Sequence, residues 1–248
     1  MAHAFRLGDL LQPLCQVIHI PRPCLVCGQR AWRYGVCQMC LCELAQQRQQ
    51  GRRCERCWVQ LPVIGGCRDC SARPLDVEQV FVAWDYLDAA ELLIQAYKAR
   101  QQQWLAAVMA NAVYQQIVRQ WPERPEQILL LSVPSSRAAL IRRGFNPAAE
   151  IAKLVAKQLR QPYLVGGLYS VSAQITETQK QRSRQQRLKA TAPAWQCATL
   201  PADSTVLVVD DVLTTGSTLQ HAAQLCRLAG AYRVYAALVA RTPWRDHF

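Results

Sequence analysis

Residues 206–218 read VLVVDDVLTTGST, and this stretch decides the fold. Val206, Leu207, Val208 and Val209 form a short, wholly apolar run, the pattern of a strand buried on both faces. Asp210 and Asp211 follow, and then a turn rich in Thr, Ser and Gly opens a helix that runs from Ser217 to Ala229 and stops at Gly230. A strand–turn–helix of this kind puts its turn at the carboxyl edge of a parallel sheet, where open α/β sheets bind ligands. The backbone N–H groups of the turn, with the hydroxyls of Thr214, Thr215, Ser217 and Thr218, sit at a helix N-terminus. Free donors and the helix dipole together favour a phosphate there. Gly216 allows close backbone approach or a positive φ. Two adjacent acids repel a bare phosphate, so they must address sugar hydroxyls, a metal or developing positive charge. The combination suits a sugar phosphate. The chain has no G-x-x-x-x-G-K-[ST] and no G-x-G-x-x-G after a strand, which argues against a P-loop nucleotidase and a dinucleotide fold.

Working outward, residues 80–84 (VFVAW), 128–133 (ILLLSV) and 233–240 (RVYAALVA) read as further strands. Residues 85–121 are expected to be mostly helical, with Leu92, Leu93 and Ala96, then Leu105, Val108 and Met109 at helical spacing, and Pro122 and Pro125 as punctuation. Asn146 caps a helix that has Pro147 at its first position and reaches about Arg160. Strands alternating with helices imply an α/β domain, a parallel sheet flanked by helices, over residues 76–248. The stretch 170–189 is polar and Gln-rich, with Lys180, Arg182, Arg184, Arg187 and Lys189 against the single Glu177. It reads either as a solvated loop or exposed helix, or as a mobile basic lid over an anionic ligand.

Residues 1–75 have a different composition. They hold ten of the twelve cysteines. Eight form C-x-x-C pairs, Cys24/Cys27, Cys37/Cys40, Cys54/Cys57 and Cys67/Cys70, and the pattern repeats with a period of 30 residues. Two residues between partners let both thiolates of a tight knuckle face one tetrahedral Zn²⁺, and two knuckles complete a four-sulfur site. A disulfide inside C-x-x-C belongs to redox enzymes more than to structural staples. The start, MAHAFRLGDL, lacks the apolar run of a secretory signal, so a reducing compartment is expected and metal is favoured over disulfide. The expectation is a double zinc ribbon with two structural ions, its ligands paired consecutively or interleaved; consecutive pairing closes the shorter loops. Cys42 reads as a spare thiol, and Cys15, Cys197 and Cys226 as small buried hydrophobes. His3, His19, His221 and His247 fit no triad or ligand set.

The 248-residue chain carries a net charge of +12, and half of its residues (51%) are hydrophobic, enough for a packed core and against wholesale disorder. No apolar run approaches the roughly 18 residues a membrane-spanning helix needs. The cysteine-rich part has ten basic against four acidic residues. Such a surface suits nucleic acid, with Trp32, Tyr34 and Trp58 either stacking bases or bracing the knuckles, and it equally suits protein docking.

VLVVDDVLTTGST resembles the phosphoribosyl-pyrophosphate (PRPP) fingerprint of type I phosphoribosyltransferases. With cysteine ribbons ahead of it, the chain resembles the ComF family, GntX-like proteins included. Tyr86 and Lys98 sit where the family has a Tyr and a Lys. VPSSRAALIRRGFNPAAEIA, from Val133, resembles its V-P…R-G-F-N segment, and TETQ at residues 176–179 with Arg187 resembles its flexible T-x-x-Q…R loop. The chain departs from that loop's pattern at Ser172, Gln174, Arg182 and Ala190. The resemblance implies that Asp210 and Asp211 contact the ribose hydroxyls and stabilise charge at the anomeric carbon. It implies that Thr214, Thr215, Gly216, Ser217 and Thr218 hold the 5′-phosphate, and that Pro134, Ser135, Ser136 and Arg137 face pyrophosphate across a peptide that is strained or cis in similar enzymes. Lys98, Arg137 and Arg143 become candidate cations, and Mg²⁺ is implied to bridge pyrophosphate and ribose. The implied function is phosphoribosyl transfer to an unidentified acceptor, in natural competence and the cytoplasmic handling of incoming single-stranded DNA beside competence proteins. The alternatives are a non-catalytic PRPP- or nucleotide-sensing accessory, a DNA-binding accessory, a docking adaptor that uses the ribbons alone, and an amidophosphoribosyltransferase-like enzyme of nucleotide metabolism.

Overall fold

The computed structural model describes residues 22–31, 35–47, 51–72, 74–100, 102–171 and 195–243. Four parallel strands form the central sheet: β3 (Val80–Asp85), β4 (Leu129–Ser132), β7 (Ser204–Leu213) and β8 (Ala231–Arg241), in the order β3-β8-β7-β4. Their registers run Val82 opposite Leu238, Val208 opposite Ala236 and Leu130 opposite Leu207. The apolar runs read as buried strands are these strands. Three of them extend further than their apolar cores: β3 ends on Asp85, β7 continues through Asp210 and Asp211, and β8 continues to Arg241.

The expected helical stretch 85–121 divides into α3 (Asp88–Arg100) and α4 (Leu105–Gln120). Helices α5 (Arg137–Arg143), α6 (Pro147–Leu159) and α7 (Ser217–Leu228) follow. The start of α6 is as its sequence predicts: the Asn146 Oδ1 accepts from Ala148 N at 3.1 Å, and Pro147 occupies the first turn. Its stripe Ile151, Ala152, Val155, Ala156 and Leu159 is buried. Together with α3 and α4 it covers one face of the sheet, against Phe81, Leu130, Leu207, Val209 and Ala237. The other face is covered by α7 and by an antiparallel hairpin, β5 (Leu168–Ser170) with β6 (Trp195–Cys197), against Val80, Val82, Leu131, Val206, Val208 and Leu238. Nothing in the sequence reading anticipated the hairpin or α5.

The cysteine-rich part is built into this arrangement. Its first module, with β1 (Arg22–Pro23), β2 (Arg30–Ala31) and α1 (Gln38–Gln47), adds Cys24, Ala31, Val36, Cys40 and Leu44 to the core on the α3 and α4 side. The Trp104 ring lies over Gly35, where any Cβ would overlap it. The second module, with α2 (Arg68–Ala72), adds Cys54, Cys57 and Val59 to the core on the α7 side.

Arg53 fastens the second module to the sheet with a two-pronged ion pair to Asp85, at 2.6 and 2.7 Å, the side chains 7% and 8% exposed. Arg53→Met leaves Asp85 charged and unpaired in the interior. It should lower the unfolding free energy by about 3 kcal/mol or more, and Arg53→Met with Asp85→Leu should recover most of the loss. Equilibrium denaturation of the zinc-loaded proteins measures both.

Candidate functional site

Parallel strands bring their carboxyl ends to one edge, so Ser132, Asp210, Asp211, Leu213 and Arg241 gather there. From Leu213 the chain turns through Thr214, Thr215 and Gly216 into α7. Gly216 is left-handed at φ +83, a conformation that favours glycine, and a Cβ on it would lie 2.8 Å from Leu75 Cδ2 and have to displace that side-chain tip. Thr214, Thr215, Ser217 and Thr218 are exposed. No side chain caps α7, although the Thr215 and Ser217 hydroxyls lie 3.1 Å apart. Thr215 Oγ1 accepts a long bond of 3.5 Å from the Ser217 N–H, and the exposed residues Ser217 and Thr218 leave the rest of this first turn open to an anion.

The two acids sit just ahead of this turn. Asp210 accepts from the backbone N–H of Asp211 at 2.8 Å. Burial, with the neighbouring charge of Asp211, pushes its carboxyl up to about 8, against the opposing pull of that N–H and of Lys98. Asp211 pairs with Lys98 Nζ at 2.8 Å. The lysine read as a cation for pyrophosphate therefore rests in this structure on the acid pair. Tyr97, beside Lys98, donates its hydroxyl to Pro147 O at 3.2 Å, and burial holds its phenol protonated well above the usual range.

After β4, Pro134 and Ser135 lead into α5, whose N-cap Ser136 accepts from Ala139 N at 3.2 Å. Asn146 organises this loop: its Nδ2 donates to Val133 O at 2.9 Å, and its Oδ1 accepts from Ser135 Oγ at 3.0 Å. No described peptide bond is cis, the one before Ser135 included. Arg137 is exposed in the first turn of α5, while Arg143 is half-buried and donates Nε to Ala139 O of its own helix at 3.5 Å. Tyr86 packs against the core and donates its backbone N–H to Arg241 O.

Each cysteine set, Cys24, Cys27, Cys37 and Cys40, and Cys54, Cys57, Cys67 and Cys70, brings its four sulfurs within 4.8 Å of one another, so the ligands group consecutively. The sulfur–sulfur distances of 3.5–3.8 Å match the roughly 3.8 Å between corners of a ZnS₄ tetrahedron with bonds of about 2.3 Å. The donor set fits zinc, and four protein sulfurs make each site structural.

Several expectations lie outside the described residues: Cys15, Trp32, Tyr34, His3, His19, His247, and the loop from Ser172 through Thr176, Gln179, Lys180, Arg182, Arg184, Arg187 and Lys189 to Ala190. The described hairpin β5–β6 brackets that loop. Trp58 is half-buried against the core, which makes it a brace of the knuckle. Cys42 is exposed and outside both clusters. Cys197 and Cys226, far apart in sequence, meet through their thiols, a pairing that spacing alone could not reveal. The sequence reading also missed Arg241, which joins Asp69 to the carbonyls of Leu213 and Thr214. An arginine ending an apolar strand, with an aspartate beside a zinc ligand, was its only signal.

Metal analysis should find about one zinc per cluster, and Cys57→Ser should remove about half. The acid pair predicts a pH effect as well. A carboxyl raised in the folded state stabilises while it is protonated, and that contribution fades as pH climbs from about 4 towards 8. Asp210→Asn should melt with the wild type near pH 4 and about 2 °C or more above it at pH 8, by differential scanning fluorimetry without ligand.

The phosphoribosyl transferase domain model matches residues 139–245. The DNA utilization protein YhgH of Salmonella typhi is 26% identical over 235 residues, covering 91% of this chain and all of that one. Competence protein F of Haemophilus influenzae is 28% identical over 185 residues, covering 71% and 78%. The YhgH protein of Escherichia coli K12 is 23% identical over 240 residues, again along its full length. The matched domain holds the acid pair and the turn from Thr214 to Thr218, and the two sulfur clusters precede it as the ribbon pattern requires. The chain thus carries a phosphoribosyl transferase domain and is similar over most of its length to these competence and DNA utilization proteins.

Proposed function

We propose that the chain binds PRPP at the carboxyl edge of its sheet and transfers the phosphoribosyl group. The carrying observation is the junction of Asp210 and Asp211 with an outward-facing helix N-terminus, Gly216 to Thr218, inside a matched phosphoribosyl transferase domain. In this reading Thr214, Thr215, Gly216, Ser217 and Thr218 hold the 5′-phosphate, and Asp210 and Asp211 take the ribose hydroxyls. The pyrophosphate lies against Pro134, Ser135, Ser136 and Arg137, with Arg143 behind. Lys98, paired with Asp211 in the structure, is released when ribose hydroxyls take its place, and its charge then serves the departing pyrophosphate. Magnesium bound with the pyrophosphate supplies charge neutralisation of the leaving group. Catalysis of this kind needs positioning and electrostatics more than a strong base.

We also infer a role in the uptake and cytoplasmic handling of single-stranded DNA, together with competence proteins. The names of the relatives support it, as do the exposed Arg30, Arg52, Arg56 and Arg68 on the cysteine modules. None of the described helices is long and apolar enough to cross a membrane.

Calorimetry with PRPP and Mg²⁺ tests the site. Wild-type binding should weaken about tenfold or more in Asp210→Asn with Asp211→Asn; absence of wild-type binding at raised ligand sinks the reading. Single-stranded oligonucleotide binding should weaken with salt and survive the same substitutions.

A further inference from the structure

The second cysteine module and the segment that follows it reach the turn before α7 at three points. Asp69, one residue before the ligand Cys70, pairs with Arg241 Nη2. The same guanidinium donates Nη1 to Leu213 O at 3.0 Å and to Thr214 O. Leu75, just beyond the module, fills the space over Gly216. Asp76 donates its backbone N–H to Gln220 Oε1 at 2.6 Å, in the first turn of α7.

Arg241 is 4% exposed, so its charge requires an anionic partner, which Asp69 supplies. Asp85, its register partner on β3, is engaged by Arg53, itself one residue before the ligand Cys54. Opposite charges flanking two zinc ligands are thereby set against the ends of two neighbouring strands. In a planar trans peptide the C=O and the following N–H point in opposite directions. Holding the carbonyls of Leu213 and Thr214 therefore turns the N–H groups of Thr214 and Thr215 away from the guanidinium. Leu213 O is held as well by the Thr242 N–H at 3.0 Å, so the Thr214–Thr215 peptide is the one that relies on the guanidinium, and its flip would replace a phosphate donor by a carbonyl.

We propose that Arg241, held by Asp69, is the positioning residue of the phosphate turn, so that the second four-cysteine module sets the affinity for the phosphate end of the ligand. This rests on the PRPP reading of the site. Only a fork of donors serves the carboxylate and the two carbonyls together, so lysine cannot replace it. The effect should be confined to the 5′-phosphate, because the loop after β4 is organised separately by Asn146.

Calorimetry with two probes, ribose 5-phosphate and inorganic pyrophosphate with Mg²⁺, tests this on the full zinc-loaded chain. Arg241→Lys preserves the charge and should weaken ribose 5-phosphate about tenfold while leaving pyrophosphate and zinc content unchanged. Asp69→Asn, a second route to the same contact, should act in the same direction, and Asp69→Glu should restore part of the affinity. Equal losses for both probes, or loss of zinc, would make Arg241 a general support of the fold and overturn the proposal. So would unchanged ribose 5-phosphate binding, or tighter binding in Asp69→Asn, which would mean that removing a negative charge outweighs positioning. A wild type that binds neither probe overturns the PRPP reading and this inference with it.

Discussion

A parallel sheet buried on both faces leaves a problem at its edge strands, and the cysteine modules close one of them. Strand β3 is at the edge, yet all six of its residues are buried. The first module adds apolar surface on one side of it and the second on the other. Modules this small, with two-residue strands and a five-residue helix, cannot supply a core of their own. Each brings four sulfurs within 4.8 Å of one another, and a metal held there would fix the shape on which the cover over the sheet depends. At the opposite edge β4 is covered more simply: Leu130 exchanges backbone hydrogen bonds with the Pro162 and Leu164 peptides.

The same construction sets the electrostatics of the carboxyl edge. Carboxylates and a helix N-terminus meet there with opposite preferences, the one for hydroxyls and cations and the other for anions. Asp210 is kept protonated towards neutral pH by burial and by its neighbour, and Lys98 neutralises Asp211. Among the described residues this edge thus holds little net charge, and in the proposed reading the two halves of a sugar phosphate are met separately along one turn of chain. Arg53 and Arg241 bring positive charge to the same edge, but both are buried and each is paired with an aspartate, buried Asp85 and partly exposed Asp69. Among the described residues, backbone donors and Arg137 at the surface are therefore what the proposed anion site would draw on, more than the bulk excess of basic residues.

Much of this was legible in residues 206–218, because a buried apolar run, two acids and a Gly-centred turn have few structural explanations besides a ligand edge. The zinc ligands were legible for a related reason: tetrahedral coordination imposes spacing on the sequence, and the 30-residue period repeats it. Consecutive pairing was the entropically cheaper of two open choices, and the sulfur distances show it. What was not legible is carried by contacts distant in sequence. Asp69 and Arg241 are 172 residues apart, and Arg53 and Asp85 are 32 apart. The hairpin β5–β6 has strands of three residues, too short for periodicity to register. Lys98 was expected as a cation for the site because the resemblance places a lysine there, but only folding reveals that it rests on Asp211.

Hydrogen exchange at the amides of residues 214–218, with and without PRPP and Mg²⁺, addresses the carboxyl edge most directly. Binding at the phosphate turn predicts that these amides become the most strongly protected in the chain on adding ligand. Protection confined to other segments, with residues 214–218 exchanging as freely as before, would contradict it.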